Sequence, residues 1–290
     1  MQLNRRTWPL AVILRHAGPL RKVRGWDRVL RFLFSPDKQK PFEFSVPFFG
    51  LSYFGTADSF IDWSVLFYGA YEHDLLKFAS GFLKEIDQPV IFDIGANVGH
   101  HSLFFASHAG AVVHAFEPSP LLWPAFQRLM TANKVDNRVL LHKCGLGAIN
   151  AELTFHVPTG ANRGTGSFKT DREIGISEIL ALPVRRGDDY VAEHGITNIN
   201  LIKIDVEGFE KDVLAGIGET VAKARPIIWI EISGPEAEQT ASLAALGKIL
   251  SGPYEFRIAE RKGHIFNSTE FRVIPQLPEK GGFNLFCLPK

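Results

Sequence analysis

Two glycines and a small polar residue follow an apolar stretch in the segment Asp93-Ile94-Gly95-Ala96-Asn97-Val98-Gly99. A glycine-rich turn between a buried strand and a helix lets a ligand approach the backbone closely, because glycine has no Cβ. The dinucleotide fingerprint G-x-G-x-x-G would require glycine at positions 97 and 100, where the chain has Asn97 and His100. The spacing therefore favours a less anionic ligand, such as a nucleoside with an amino-acid tail. A plain strand-to-helix turn is the alternative.

A carboxylate and a pair of small residues follow the next two apolar stretches. Glu117 lies 22 residues after Gly95 (117 − 95) and ends the second stretch. An acidic residue about 20 residues after such a turn is positioned to accept hydrogen bonds from ribose hydroxyls. Cys144 and Gly145 end the third stretch, where small side chains leave room for an adenine ring. A buried bystander cysteine is equally compatible with the sequence.

A second charged group lies at the end of a later apolar run, in residues 201–207. With a strand period of two, Lys203, Asp205 and Glu207 share one face. Charges at the end of a buried strand are costly unless they are paired or functional. One interpretation is a structural Lys203–Asp205 ion pair with Glu207 capping the next helix. The other sets all three around the reacting atoms, with Glu231 facing the same crevice.

These side chains need a parallel sheet to bring them together, and the periodicity predicts one. Apolar runs without alternation indicate strands that are covered on both faces, and such strands alternate here with helical segments. The fold class predicted is α/β, with a doubly wound, mostly parallel sheet and an inserted hairpin at 151–157 and 181–185. The seven predicted sheet strands are 90–94, 112–116, 139–142, 201–206, 226–232, 254–259 and 282–288.

The chain divides into three predicted regions. Residues 1–40 form a basic arm, 41–85 an aromatic-rich cap, and 86–290 the main domain. The arm has ten Lys/Arg against two acids, a charge of +8, which leaves −7 for the rest of a chain whose net charge is +1. The arm is either a basic amphipathic helix on an anionic membrane surface or a helix that covers the domain with its arginines in water.

The composition excludes several classes of protein. With 46% apolar and 22% charged residues, the chain is neither disordered nor highly charged. Two cysteines exclude a disulfide scaffold and a four-cysteine zinc site, and they fit a reducing, cytoplasmic location. The acidic body argues against a nucleic-acid partner. No apolar run approaches the roughly 18 residues of a membrane span.

Three ordered motifs together resemble the FkbM-type methyltransferases. They are 90–99, 115–118 and 202–208, and the upstream Gly69-Ala70-Tyr71-Glu72 is also similar to that family. The resemblance covers roughly residues 60–235. It implies an S-adenosylmethionine-dependent enzyme with a Rossmann-like sheet of the class I methyltransferases.

The resemblance also implies a role for each matching residue. The methionine half of the cofactor would be held by Asp93, Gly95, Ala96, Asn97 and Gly99, with help from Ser102 and Glu72. Glu117 would bind the ribose, and Cys144 with Gly145 would border the adenine. Lys203, Asp205 and Glu207 would face the methyl group. The sequence departs from the family at Arg186-Gly187-Asp188 and at His100-His101, which leaves the acceptor site undefined.

The expected reaction is O-methylation of a hydroxyl on a small molecule, sugar or glycan. The acceptor must lose a proton, and the possible bases are Asp205, Glu207 or one of the two histidines, with the acidic residues ranked first. A divalent metal on Asp205, Glu207 and Glu231 is a minor alternative, and no metal is predicted. A nicotinamide-dependent oxidoreductase and a non-catalytic nucleoside-binding or membrane-associated protein are the competing functions.

Overall fold

The computed structural model describes residues 1–16, 23, 25–158, 164, 166–169, 176–262 and 268–290. The helices of these residues are α1 (Trp8–Arg15), α2 (Trp26–Phe34), a short 3₁₀ helix (Pro36–Lys38), α3 (Phe60–Tyr68), α4 (His73–Gly81), α5 (His100–His108), α6 (Trp123–Ala132), α7 (Gly187–Glu193), α8 (Glu210–Gly216), α9 (Gly218–Ala224) and α10 (Glu236–Ile249). The strands are β1 (Glu43–Phe48), β2 (Leu51–Thr56), β3 (Val90–Ile94), β4 (Val112–Phe116), β5 (Val139–His142), β6 (Gly145–Gly147), β7 (Ala151–Pro158), β8 (Ile176–Arg186), β9 (Ile199–Ile204), β10 (Ile227–Ile232), β11 (Tyr254–Lys262), β12 (Ser268–Ile274) and β13 (Phe283–Pro289).

The central sheet runs in the order β12-β11-β13-β10-β9-β3-β4-β5. Strands β10, β9, β3, β4 and β5 are parallel, whereas β13, β11 and β12 add an antiparallel edge. The α/β class and the parallel core are as predicted, but the predicted number of seven strands is wrong, because β12 is an eighth. The missed strand is the outermost one of the sheet, and its side chains include the exposed Val273, so it lacks the apolar run that marks a buried strand.

The parallel strands are buried on both faces, as their unbroken apolar sequences predict. Successive residues of β3 enter two different cores: Ile91 packs with the cap, α5 and α6, and Phe92 packs with α7–α10. Both side chains are fully buried. The helices therefore cover the sheet on its two sides, which is the doubly wound arrangement. The carboxyl ends of β3, β4, β9 and β10 come together at one edge of this sheet.

The amino-terminal helices are packed into the cap. Leu30 and Phe34 of α2 are fully buried in the same core as the cap aromatics. Arg15 of α1 is also buried, and its guanidinium donates hydrogen bonds to the carbonyls of Pro47, Val65 and Leu66. The arm is helical as predicted, but Arg15 is not in water as the solvated-helix interpretation expects. The arm residues Arg21, Lys22 and Arg24 lie outside the described residues.

The predicted hairpin is confirmed and extends farther than its sequence pattern indicates. Strands β7 and β8 pair antiparallel, and β6 pairs parallel with β8 to complete a three-stranded sheet. Part of the Gly/Thr-rich loop between them, including Gly160 and Thr165, lies outside the described residues. Among the described helices, none has the length and apolar character needed to cross a bilayer.

Candidate active site

A cleft lies at the carboxyl ends of the central parallel strands. Its empty volume is about 1110 Å³, including space open to solvent. The lining comes from the cap, from the ends of β3, β4, β9 and β10, and from the inserted hairpin. The lining residues include Phe60, Ile61, Tyr71, Gly95, Asn97, His101, Glu117, Gly145, Leu146, Phe155, Ser167, Phe168, Lys203, Asp205, Glu207 and Glu231. The glycine turn and the acidic group, which are distant in sequence, therefore border one cavity.

The turn after β3 requires glycine at its first position. Gly95 has φ +82°, and a Cβ on it would lie 1.8 Å from the backbone oxygen of Asp205. The amides of Gly95 and Ala96 both donate to the carbonyl of Phe116, at 3.0 and 3.1 Å. In addition, the Asp205 amide donates to Ile94 O at 3.0 Å. The backbone of the glycine turn thus contacts the ends of β4 and β9 directly.

Glu117 connects two turns by hydrogen bonds. Its Oε2 accepts from the Asn97 amide at 2.9 Å and its Oε1 from the Ser119 amide at 2.8 Å. Burial raises the pKa of Glu117 to about 7, against these hydrogen bonds, which favour the ionised form. Each carboxylate oxygen has a second lone pair, so the group can still accept from a ligand hydroxyl. The two hydrogen bonds therefore hold the Glu117 carboxylate in a fixed orientation at the cleft wall.

Gly95, Asn97 and Glu117 line one half of the cleft, the glycine-turn half. The far end of this half is apolar and comes partly from the inserted hairpin. Gly145, Leu146, Phe155 and Phe168 line it. A Cβ on Gly145 would lie 2.8 Å from the Phe168 ring, so the glycine is needed for this contact. Cys144 is buried and does not line the cleft, although the resemblance places it beside the adenine. Sequence reasoning missed both phenylalanines, because they follow the cofactor motifs on an insertion.

The opposite half of the cleft, the acidic half, is lined by Lys203, Asp205, Glu207 and Glu231. It contains a buried ion-pair network. Lys203 Nζ lies 3.1 Å from Asp205 Oδ2 and 3.8 Å from Asp93 Oδ1, and the lysine is 1% exposed. Burial alone would lower the pKa of Lys203, but the two carboxylates raise it above its ordinary value. The structural ion pair considered from the sequence is therefore present, and both of its partners also line the cleft.

Two carboxyl groups of this half have opposite pKa shifts. Asp205 accepts a hydrogen bond from the Glu231 side chain, and Lys203 keeps the pKa of Asp205 below its usual value despite burial. The Asp205 charge, together with burial, raises the pKa of Glu231 to about 9. At neutral pH the pair is an aspartate and a protonated glutamic acid. Strand β10 therefore supplies a protonated carboxyl group whose hydrogen bond fixes Asp205 at the cleft wall.

Glu207 lines the cleft from a turn and not, as the sequence predicts, from the end of a strand. Strand β9 ends at Ile204 rather than 206, and Glu207 has φ +54° in the turn that follows. The period-two argument therefore does not apply to this residue. Its carbonyl accepts a hydrogen bond from Ser167 Oγ at 2.8 Å, which attaches the inserted hairpin to the cleft wall.

Several predicted cofactor residues lie behind the lining, although the structure describes all of them. These are Glu72, Asp93, Ala96, Gly99, Ser102 and Cys144. Ser102 Oγ donates to Asp93 Oδ2 at 2.7 Å, and both side chains are fully buried. A Cβ on Gly99 would lie within 2.8 Å of Phe126 and Met130, so that glycine serves helix packing. Such residues support the turn rather than border the cavity.

The cap contributes lining residues that the motifs did not indicate. Phe60 and Ile61 come from α3, and Tyr71 from the loop before α4. Burial and the nearby carboxylates, first Glu72 and then Asp205, raise the pKa of the Tyr71 hydroxyl far above its ordinary value. The dense aromatics of residues 41–71 were the available signal. Among the described residues, no three His, Cys, Asp or Glu side chains are grouped so that they could bind a metal ion.

The family follows from comparison with known proteins. A family model described as the methyltransferase FkbM domain matches residues 93–267, which is more than half of the chain. The chain belongs to the FkbM methyltransferase family. It is an S-adenosylmethionine-dependent methyltransferase, and the nicotinamide-dependent alternative is set aside. The matched region begins at Asp93 and includes the glycine turn, Glu117 and the β9 motif.

Named relatives match between about half and two thirds of the chain. The 31-O-demethyl-FK506 methyltransferase FkbM of Streptomyces tacrolimicus is 29% identical over 212 residues, which cover 64% of this chain and 79% of that protein. The hexuronic acid methyltransferase AglP of Haloferax volcanii is 27% identical over 180 residues, covering 61% and 70%. The 2-O-methyltransferase NoeI of Sinorhizobium fredii is 30% identical over 167 residues, covering 53% and 67%.

Proposed function

We propose that this FkbM-family enzyme methylates a hydroxyl oxygen of a small molecule, sugar or glycan. The observation that carries the proposal is the continuity of the cleft from Gly95 and Glu117 to Lys203, Asp205 and Glu207. One half suits a nucleoside and the other offers charged groups near a reacting hydroxyl. The names of the relatives favour oxygen and sugars: one is a 31-O-demethyl-FK506 methyltransferase, one a hexuronic acid methyltransferase, and one a 2-O-methyltransferase.

The residues of the glycine-turn half fit S-adenosylmethionine. Gly95 and Asn97 border the space for the methionine part, and Asp93 and Ser102 hold that turn from behind. Glu117 retains lone pairs for the ribose hydroxyls, and the apolar patch of Gly145, Leu146 and Phe168 suits an adenine ring. When bound, the cofactor supplies an electrophilic methyl group on a sulfonium. The nearby carboxylates are complementary to that positive charge.

The acidic half would position the acceptor. Methyl transfer requires the acceptor oxygen in line with the methyl group, which is mainly a matter of orientation. Glu231 donates its one proton to Asp205, and the remaining oxygen lone pairs of the two groups can accept from the hydroxyls of one sugar diol. Lys203 fixes Asp205 through their ion pair. Glu207 lies beside them at the cleft wall.

Isotope transfer tests this function. Cell-extract metabolites are incubated with the enzyme and S-adenosylmethionine labelled in its methyl group, and the products are analysed by mass spectrometry. We expect a labelled methyl ether. The Asp205→Asn and Glu207→Gln variants should lose turnover while their affinity for S-adenosylhomocysteine stays within about threefold. A labelled N-methyl product, or full turnover in both variants, would contradict the proposal.

We also propose that the amino-terminal region binds the anionic inner face of a membrane peripherally. Phe32 of α2 is 86% exposed, and its helix neighbours Arg28 and Val29 are exposed as well. Residues 1–6, with Arg5 and Arg6, run beside 38–40, because Leu3 N donates to Gln39 Oε1 and Lys40 N to Gln2 Oε1. An exposed aromatic among cations suits a lipid headgroup region.

Vesicle sedimentation tests this contact with the full chain. Phosphatidylcholine vesicles containing phosphatidylglycerol should pull the protein down at low salt and release it at high salt, since each basic residue contributes roughly 1 kcal/mol near such a surface. The Phe32→Ser variant should bind more weakly. Ile179→Ser changes another exposed apolar side chain, on the inserted hairpin, and should bind like the parent. Equal, negligible binding to neutral and anionic vesicles would refute the membrane contact.

A further inference from the structure

Two adjacent histidines at the start of α5 have different environments. His101 lines the cleft, whereas His100 does not. His101 Nε2 lies 3.0 Å from Glu72 Oε2 at the amino end of α4. The side chains of this pair are 5% and 11% exposed, so solvent competes little for the hydrogen bond. Glu72, which the family resemblance places with the cofactor, instead contacts a histidine of the acceptor side.

A chain of hydrogen bonds determines which nitrogen of His101 has the proton. The indole Trp229 Nε1 can only donate, and it donates to Asn284 Oδ1 at 2.6 Å. The Asn284 amide therefore directs Nδ2 to Glu72 Oε1, at 3.1 Å. A carboxylate has no proton to donate, so its other oxygen, Glu72 Oε2, accepts from His101 Nε2–H. In the neutral ring the lone pair is consequently on Nδ1.

From this geometry we infer that His101 is the general base of the proposed O-methylation and that Glu72 is its positioning residue. The inference rests on the proposed function, because only a hydroxyl acceptor must lose its proton. His101 Nδ1 takes the hydroxyl proton as the acceptor oxygen forms its bond to the methyl carbon. The carbon–sulfur bond breaks, and its electron pair stays on sulfur. Glu72 stabilises the imidazolium that forms.

Two neighbouring carboxyl groups, those of Asp205 and Glu231, are poorer bases. Asp205 is ion-paired with Lys203, and its pKa is lowered, so its affinity for a proton is small. Glu231 is already protonated at neutral pH because its pKa is about 9. The titratable rings of Tyr71 and His100 also lie near His101, with centroid distances of 6.1 and 4.9 Å to its ring. Neither is a negatively charged partner for the ring.

His100 provides the contrast on the same helical turn. Its Nε2 accepts from the backbone amide of Tyr71 at 3.2 Å, and its Nδ1 is buried without a partner among the described residues. Burial, with the adjacent His101 and Lys203, lowers its pKa well below the usual value. This histidine therefore stays neutral and holds the loop before α4.

The first test is nuclear magnetic resonance of the protein with ¹⁵N-labelled histidine, saturated with S-adenosylhomocysteine. The His101 signals, assigned by comparison with His101→Gln, should show the Nε2–H tautomer with an unprotonated Nδ1. The Glu72→Gln variant should shift this tautomer equilibrium, and Glu72→Asp should restore part of it. A His101 ring protonated on Nδ1 at neutral pH would overturn the inference without any activity measurement.

The second test compares turnover in a matched pair of variants with the labelled-methyl assay. His101→Gln keeps a donor for Glu72 but has no basic nitrogen, and we expect a loss of about 10²- to 10⁴-fold in kcat. His100→Gln keeps an acceptor for the Tyr71 amide and should stay within a few-fold of the parent. If both variants keep their affinity for S-adenosylhomocysteine, a loss of turnover comes from the chemical step and not from misfolding.

The outcomes separate the two proposals. If the parent forms no methyl ether, or forms an N-methyl product, the proposed function fails, whatever the tautomer of His101. If the parent forms a methyl ether and His101→Gln forms it at the same rate, the proposed function stands and the base assignment is overturned. A turnover loss in His100→Gln equal to that in His101→Gln would also overturn it.

Discussion

The two halves of the cleft are held together by different kinds of contact. In the glycine-turn half, backbone amides and one carboxylate form the contacts, and Gly95 allows the turn to touch the end of β9. In the acidic half, the contacts are between charged side chains from β9, β10 and the cap. Backbone geometry depends on short sequence motifs, whereas the charged network depends on residues that are distant in the chain.

This difference teaches where variation is tolerated. A turn that presents backbone amides constrains a few glycines and leaves its neighbours free. A charge network couples all of its members, so that the state of Glu231 depends on Asp205 and that of Asp205 on Lys203. We therefore expect substitutions in the first half to act on folding and cofactor affinity, and those in the second half to act on pH dependence and turnover.

The largest effect that does not depend on pH is expected at Gly95. In Gly95→Ala the new Cβ meets the Asp205 backbone and the positive φ is strained, for a combined cost of roughly 2–5 kcal/mol of unfolding free energy. Urea denaturation measures this cost. Gly195→Ala is the matched control, because Gly195 has φ +60° and nothing within 4 Å of a Cβ. Equal losses of unfolding free energy in the two variants would show that the clash with the Asp205 backbone does not contribute to the cost of Gly95→Ala.

At Glu231 the expected effect is a change of stability with pH. Its folded-state pKa of about 9 exceeds the ordinary value of 4.5, so the folded state keeps a proton that the unfolded state releases. The contribution of this group to stability is therefore present at low pH and is lost as pH rises from about 4.5 to about 9. Glu231→Gln should remove a slope of at most about 1.4 kcal/mol per pH unit.

Denaturation at several pH values above 5 measures that slope. The exposed Glu236→Gln substitution on α10 serves as the control for removing a negative charge. We expect the Glu236→Gln curve to run parallel to that of the parent, and the Glu231→Gln variant to gain stability relative to both as pH rises. Parallel curves for all three proteins would show that Glu231 is not protonated in the folded state.

Much of the fold could be predicted from the sequence, since buried parallel strands have strong apolar runs. Strands β3, β4 and β5 have the predicted bounds, and β10 begins one residue later than predicted. The edge strand β12 was missed, because an edge strand with exposed side chains lacks that signal. The burial of Arg15 could not be predicted either, since a basic residue in a basic segment gives no indication of the three carbonyls it contacts.

The site was predictable only where its residues belong to short motifs. Gly95, Asn97 and Glu117 line the cleft as the turn-and-carboxylate spacing indicates. The contact of Glu72 with His101 and Asn284 could not be predicted, because Asn284 is 212 residues away in the chain and reaches Glu72 only through the pairing of β13 with β10. The opposite pKa shifts of Asp205 and Glu231 likewise depend on which strands are neighbours.

Calorimetric titration with S-adenosylhomocysteine tests the central division of the cleft most directly. Glu117→Ala removes the proposed ribose acceptor, at a cost of about 1.5–3 kcal/mol, or about 10- to 150-fold in affinity. The double variant Asp205→Asn/Glu207→Gln should bind within about threefold of the parent, because its changes lie in the acceptor half. A Glu117→Ala variant with unchanged affinity, or a double variant that loses as much as Glu117→Ala, would contradict the account.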